Sequence, residues 1–153
     1  MPVSDDAVRA LVYRSCLALD HADHAGYLAL CAEGMRYQIT CHSPEIGKDV
    51  ILMNHDRAGL VALFESLSDH IKLPAELMRH ASVYEIVRTR DETVAEVTTS
   101  LVIIRTDPEG LSHVFAAGRY VDTVDLTGPA PMLTKRTLRL QTRDIGIGTE
   151  VPF

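Results

Sequence analysis

RHASVYEIVRTRDETVAEVTTSLVIIRT, residues 79–106, decides the fold. Its apolar and β-branched residues recur every second position, the repeat of a strand with one buried face. Strand one is expected over 79–88, and Arg90-Asp91-Glu92 forms a tight turn. Strand two follows over 94–105, with Ala95, Val97, Leu101 and Ile103 on one face. Moving outward, Asp107-Pro108-Glu109-Gly110 is a strong turn signal. Strand three is expected over 113–126, Gly128-Pro129-Ala130-Pro131 turns the chain again, and strand four is expected over 132–143. In strand four Leu138 and Leu140 share one face, and Lys135, Arg139 and Arg143 share the other. Short turns between consecutive strands make an antiparallel meander of four.

One face of that sheet needs cover, and only the N-terminal half can supply it. There the period is 3.6. Ser4 caps a first helix with Asp5 and Asp6 in its first turn, and Val8, Leu11, Val12, Ser15, Cys16 and Leu19 form its apolar stripe to about Asp20. Asp23 caps a second helix carrying Tyr27, Leu28, Leu30 and Cys31, with Gly34 as its stop. A short strand is expected over 36–40, and the aperiodic stretch 41–54 is expected to be a loop. Asn54 or Asp56 caps a third helix with Leu60, Leu63, Phe64 and Leu67 on its apolar face. The expected class is α+β, with a curved antiparallel sheet wrapped around N-terminal helices in one domain over 1–153.

The chain has 153 residues, 46% apolar and 24% charged, enough for a core without staples. A net charge of −6 repels phosphate backbones, so nucleic acid is not an expected partner. Cys16, Cys31 and Cys41 are odd in number and form no CxxC pair, which points to a reducing compartment. The N-terminal MPVSDDAVRA has acids where a leader would be basic and then apolar, and no apolar run is long enough to span a bilayer. The expected location is the cytoplasm, away from the membrane.

Two groups of residues invite chemistry. His21 and His24, flanked by Asp20 and Asp23, have the donor types of a non-haem iron site, but no further ligand-spaced group accompanies them. Capping carboxylates beside exposed histidines account for the same pattern, and no metal is expected. Asp20, at the end of the first helix, and His80, at the start of the first long strand, would meet inside a helix-covered sheet. An Asp–His dyad there abstracts a proton, and a structural hydrogen bond explains the same pair. The sequence contains no Cys-x-His pair, so the chain itself does not carry a Rieske cluster. The row Lys135, Arg139, Arg143 reads either as a solvated face or as a contact surface for an acidic partner.

The order of elements resembles the nuclear transport factor two-like cone fold. Within it, five segments are similar to the small (β) subunits of aromatic-ring-hydroxylating dioxygenases and related Rieske-type oxygenases. They are LALDHADHAGYLALCAEGMRYQI (17–39), HDRAGLVALFESL (55–67), RHASVYEIV (79–87), FAAGRYVDTV (115–124) and LTKRTLRLQTRDIG (133–146). The resemblance implies a structural subunit of an oxidoreductase, either a dioxygenase or a monooxygenase. It implies no catalytic, cofactor-binding or metal residue in this chain. The Rieske cluster and a mononuclear iron would lie in a large (α) subunit, with three small subunits forming a trimer within a hetero-hexamer. The alternative is a free-standing cone-fold enzyme, dehydratase-like or isomerase-like, working through Asp20 and His80.

Overall fold

The computed structural model describes residues 2–69, 76–144 and 153. Its elements run α1 (Asp5–Asp20), α2 (His24–Ala29), β1 (Cys31–Ser43), β2 (Lys48–Asp56), α3 (Arg57–Asp69), β3 (Glu76–Arg88), β4 (Val94–Thr106), β5 (Ser112–Asp125) and β6 (Met132–Leu140). The strands form one sheet of six in the order β2-β1-β6-β5-β4-β3. The four expected strands are β3 to β6, paired antiparallel in sequence. The chain then adds β1 parallel to β6, and β2 antiparallel to β1.

Three expectations need correction here. The stretch 41–54 is not a loop, because β1 continues to Ser43 and β2 runs from Lys48 to Asp56. The second helix stops at Ala29 rather than at Gly34. The backbone N–H of Leu133 takes the carbonyl of Leu30 at 2.9 Å, and from Cys31 onward the chain is strand. Strand four ends at Leu140, so Arg143 lies beyond it. There the chain still clings to β5, with Ala117 N–H donating to Thr142 Oγ1 at 2.9 Å.

The helices form where their caps dictate. Ser4 Oγ accepts from Ala7 N–H at 3.1 Å, Asp23 Oδ1 from Gly26 N–H at 2.9 Å, and Asp56 Oδ1 from Gly59 N–H at 2.7 Å. The stripe of α1 packs into the concave side of the sheet, where Leu101, Ile103, Tyr120, Val124, Leu133 and Leu138 are buried. Each fully buried Leu, Ile or Val contributes about 1.5–3 kcal/mol. β5 and β6 approach so closely that a Cβ on Gly118 would fall 2.3 Å from the Arg139 carbonyl oxygen, so only glycine fits. Among the described residues, no helix is long and apolar enough to cross a membrane.

Candidate functional site

The concave side of the sheet is where a cone-shaped fold would hold a ligand. Strand alternation points Asp122, Tyr120 and Val124 of β5 inward, together with Arg136, Leu138 and Leu140 of β6. Two of these residues are charged, and both are fully buried. Arg136 grips Asp122 with two parallel hydrogen bonds, Nε to Oδ1 at 2.8 Å and Nη2 to Oδ2 at 2.9 Å. Its Nη1 donates to Ser15 Oγ at 2.9 Å, and the Ser15 hydroxyl in turn donates to the Val12 carbonyl at 2.6 Å. The guanidinium lies 3.8 Å above the Tyr120 ring. Burial alone would pull the Arg136 pKa down, but attraction to Asp122 outweighs it and holds the group charged, well above its usual range.

Phe153 fills the space beside this cluster. Its N–H donates to the Tyr37 hydroxyl at 2.8 Å, its backbone oxygen accepts from Tyr120 O–H, and its ring meets Phe115 edge-on at 5.5 Å. Burial drives the Tyr37 phenol up to about 12 and the Cys31 thiol up to about 11. Tyr120 and Cys16 are raised for the same reason. All three cysteines are free and buried. At Cys16 and Cys31 burial thus disfavours the nucleophilic thiolate. The Tyr27 hydroxyl is buried with no hydrogen-bond partner among the described residues.

Asp20 and His80 do not meet. The Asp20 carboxylate takes Arg79 instead, with Nη1 at 2.7 Å and the backbone N–H at 3.2 Å from both oxygens. Arg79 points inward and is 7% exposed, so the next residue of β3, His80, points outward and is exposed. The pairing of β3 with β4 is regular through Arg79 and His80, so these two consecutive side chains take opposite faces. The carboxylate is therefore bound to a cation and has no imidazole to orient. Near the first helix, Asp23 caps α2, His21 is exposed, and His24 stacks on Phe64 at 4.3 Å between ring centres. Among the described residues, no group of three or more His, Cys, Asp or Glu side chains is placed to hold a metal ion.

The basic row divides. Lys135 and Arg139 stand exposed on the outer face of β6, whereas Arg143 binds Glu45 at 3.0 Å. Register brings other cations to the row instead, Arg36 of β1 opposite Lys135 and Arg119 of β5 opposite Arg139. The Arg136–Asp122 pair was missed from sequence, although parity could have found it. Arg136 has the parity of Leu138 and Leu140, and Asp122 that of Tyr120 and Val124.

Comparison with known proteins yields relatives over nearly the whole chain. The β subunit of the methanesulfonate monooxygenase hydroxylase of Methylosulfonomonas methylovora is 29% identical, over 97% of this chain and 86% of that protein. The β subunit of 2-aminobenzenesulfonate 2,3-dioxygenase of an Alcaligenes species is 26% identical, over 96% and 97%. Among solved structures, one from Novosphingobium aromaticivorans, described as the β subunit of an aromatic-ring-hydroxylating dioxygenase, superposes with a TM-score of 0.83. It is 20% identical and the match covers 96% of this chain and 94% of that one, a likeness of fold. A family profile described as a SnoaL-like domain matches residues 4–136, and the chain belongs to that family.

Proposed function

We propose that this chain is the small, structural β subunit of a multicomponent ring-hydroxylating oxygenase, and that it supports assembly of a catalytic large subunit. The observation that carries the reading is the near end-to-end match to the β subunits of two different oxygenases. The interior agrees with a scaffold. Its inward-facing charges are spent on one another, in Arg136–Asp122 and Arg79–Asp20, and the Tyr37 and Tyr120 hydroxyls hold Phe153. In this reading the Rieske cluster and the mononuclear iron belong to the large subunit, and three small subunits join three large ones in the cytoplasm.

The test is co-expression with a large subunit from the same gene neighbourhood carrying paired Cys/His motifs. The two chains are expected to co-purify, and the small chain alone is expected to show no oxygenase activity. Methanesulfonate and 2-aminobenzenesulfonate, named for the two relatives, are the first substrates to assay in the assembled enzyme. Failure to co-purify with any such large subunit sinks the reading.

A further inference from the structure

Phe153 belongs to no helix or strand, yet only 1% of it is accessible. It is held as a ligand is held. Its N–H donates to the Tyr37 hydroxyl of β1 at 2.8 Å, and its backbone oxygen accepts from the Tyr120 hydroxyl of β5. Side chains of two separate strands, rather than a ladder, thus take its two backbone groups. Its ring meets Phe115 edge-on at 5.5 Å. The pairing of β4 with β5 passes from Ala116 to Val114, so Phe115 has no partner on β4. Such a bulge re-aims a side chain, and bulges are over-represented beside active sites.

The same interior holds two polar atoms that Phe153 does not serve. Tyr27 Oη and Thr99 Oγ1 are buried with no hydrogen-bond partner among the described residues. Thr99 stands opposite Tyr120 across the β4–β5 pair, and Tyr27 lies within the electrostatic reach of Arg136, Tyr37 and Asp122. A packed core rarely leaves such groups alone. An apolar interior with a few polar groups turned into it has the make-up of a small-molecule site.

We propose that the space beside Tyr37, Tyr120 and Phe115 is a binding site for a small aromatic amide, and that Phe153 is its resident occupant, exchangeable for a free molecule of the same shape. The contacts name the class: an aromatic ring for Phe115, an N–H donor for the Tyr37 hydroxyl and an acceptor oxygen for the Tyr120 hydroxyl. The site is closed while Phe153 is seated and open when it leaves.

The probe is N-acetyl-L-phenylalaninamide, which carries the same ring, N–H and carbonyl. Calorimetric titration compares the full chain with Phe153→Asp, whose carboxylate cannot follow the ring into an apolar interior. The variant is expected to bind the probe at least about tenfold more tightly than wild type, because no tethered ring competes. Adding Tyr37→Phe and Tyr120→Phe to it is expected to weaken binding about tenfold or more. A second variant, Phe153→Ala, leaves the backbone in place and removes only the ring. Toluene is expected to raise its thermal midpoint and not that of wild type, since a dry apolar cavity takes up such a ring. A folded Phe153→Asp that ignores the probe overturns the proposal. So do a wild type that binds equally well, binding that survives loss of both hydroxyls, or a folded Phe153→Ala indifferent to toluene. If only Phe153→Ala folds, its response to toluene decides. Failure of both variants to fold also overturns the proposal, because the ring is then core and not an occupant. No large subunit is present, so these results stand apart from the co-purification test.

Discussion

The two faces of one sheet handle charge in opposite ways. On the inner face, Arg136 and Asp122 have no access to water and satisfy each other, with Ser15 and Tyr120 completing the contacts. On the outer face, Arg36, Arg119, Lys135, Arg139, Glu76, Glu85 and Glu96 are exposed, and none of them makes an ion pair among the described residues. The difference follows from what water does for a charge. A buried ion must find its partner in the same chain or pull the fold apart, whereas a hydrated ion can wait for a partner elsewhere. Inner charges should therefore govern stability, and outer charges should affect it little.

The hardest way to break that division is to remove one inner partner. Asp122→Ala leaves Arg136 charged and buried, and chemical denaturation is expected to show a loss of about 3–5 kcal/mol. Replacing both, Asp122→Leu with Arg136→Met, is expected to recover most of it, because an apolar pair has no ion to strand. A single-variant loss under about 1 kcal/mol would mean that the pair does not hold the interior.

Asp20→Asn comes next. It weakens charge-assisted hydrogen bonds to Arg79 and is expected to cost about 2 kcal/mol. His80→Ala, on the outer face, is expected to stay within about 0.5 kcal/mol. Equal losses from the two would imply that the residues work as a pair after all.

Alkali probes the inner face without mutation. The Cys31 thiol rises from its ordinary 9.0 to about 11 in the folded chain, and the Tyr37 phenol from 10.0 to about 12. Between each pair of values the unfolded chain has released its proton and the folded chain has not. The stability tied to Cys31 is thus fully present below pH 9.0 and is lost as pH rises toward 11. Urea midpoints are expected to fall across that range, and Cys31→Ala is expected to flatten the first part of the fall. The smallest effect belongs to Tyr27→Phe, which removes a buried hydroxyl that has no partner and is expected to be neutral or slightly stabilising by thermal denaturation.

How much of this was legible in the sequence depended on how each residue was covered. The meander was readable because β4 alternates strictly, with 95, 97, 99, 101 and 103 all buried. β2 was unreadable for the opposite reason. Lys48–Leu52 is exposed on both faces, so Val50, Ile51 and Leu52 follow one another with no alternation to detect. The parallel joining of β1 to β6 has no local signal at all, since it pairs Tyr37 with Arg136 across the length of the chain. Of the candidate sites, the outer cations Lys135 and Arg139 were visible as a row, but their neighbours Arg36 and Arg119 come from other strands and needed the register. Asp20 was visible as an acid at a helix end. Its true partner, Arg79, stands one residue before the histidine that sequence reasoning chose.

The arginines that hold α1 also set a timetable. Arg88 takes Asp5 at its first turn, Arg136 takes Ser15 near its middle, and Arg79 takes Asp20 at its end. These partners lie 83, 121 and 59 residues further along the chain. Made before the sheet, α1 therefore cannot be fully seated until β6 has followed it. During synthesis its apolar stripe has no sheet to cover it, and the closing of so long a loop falls late. A helix made before its sheet is thus seated after it, and for that interval the newborn chain depends on α1 finding nothing else to bind.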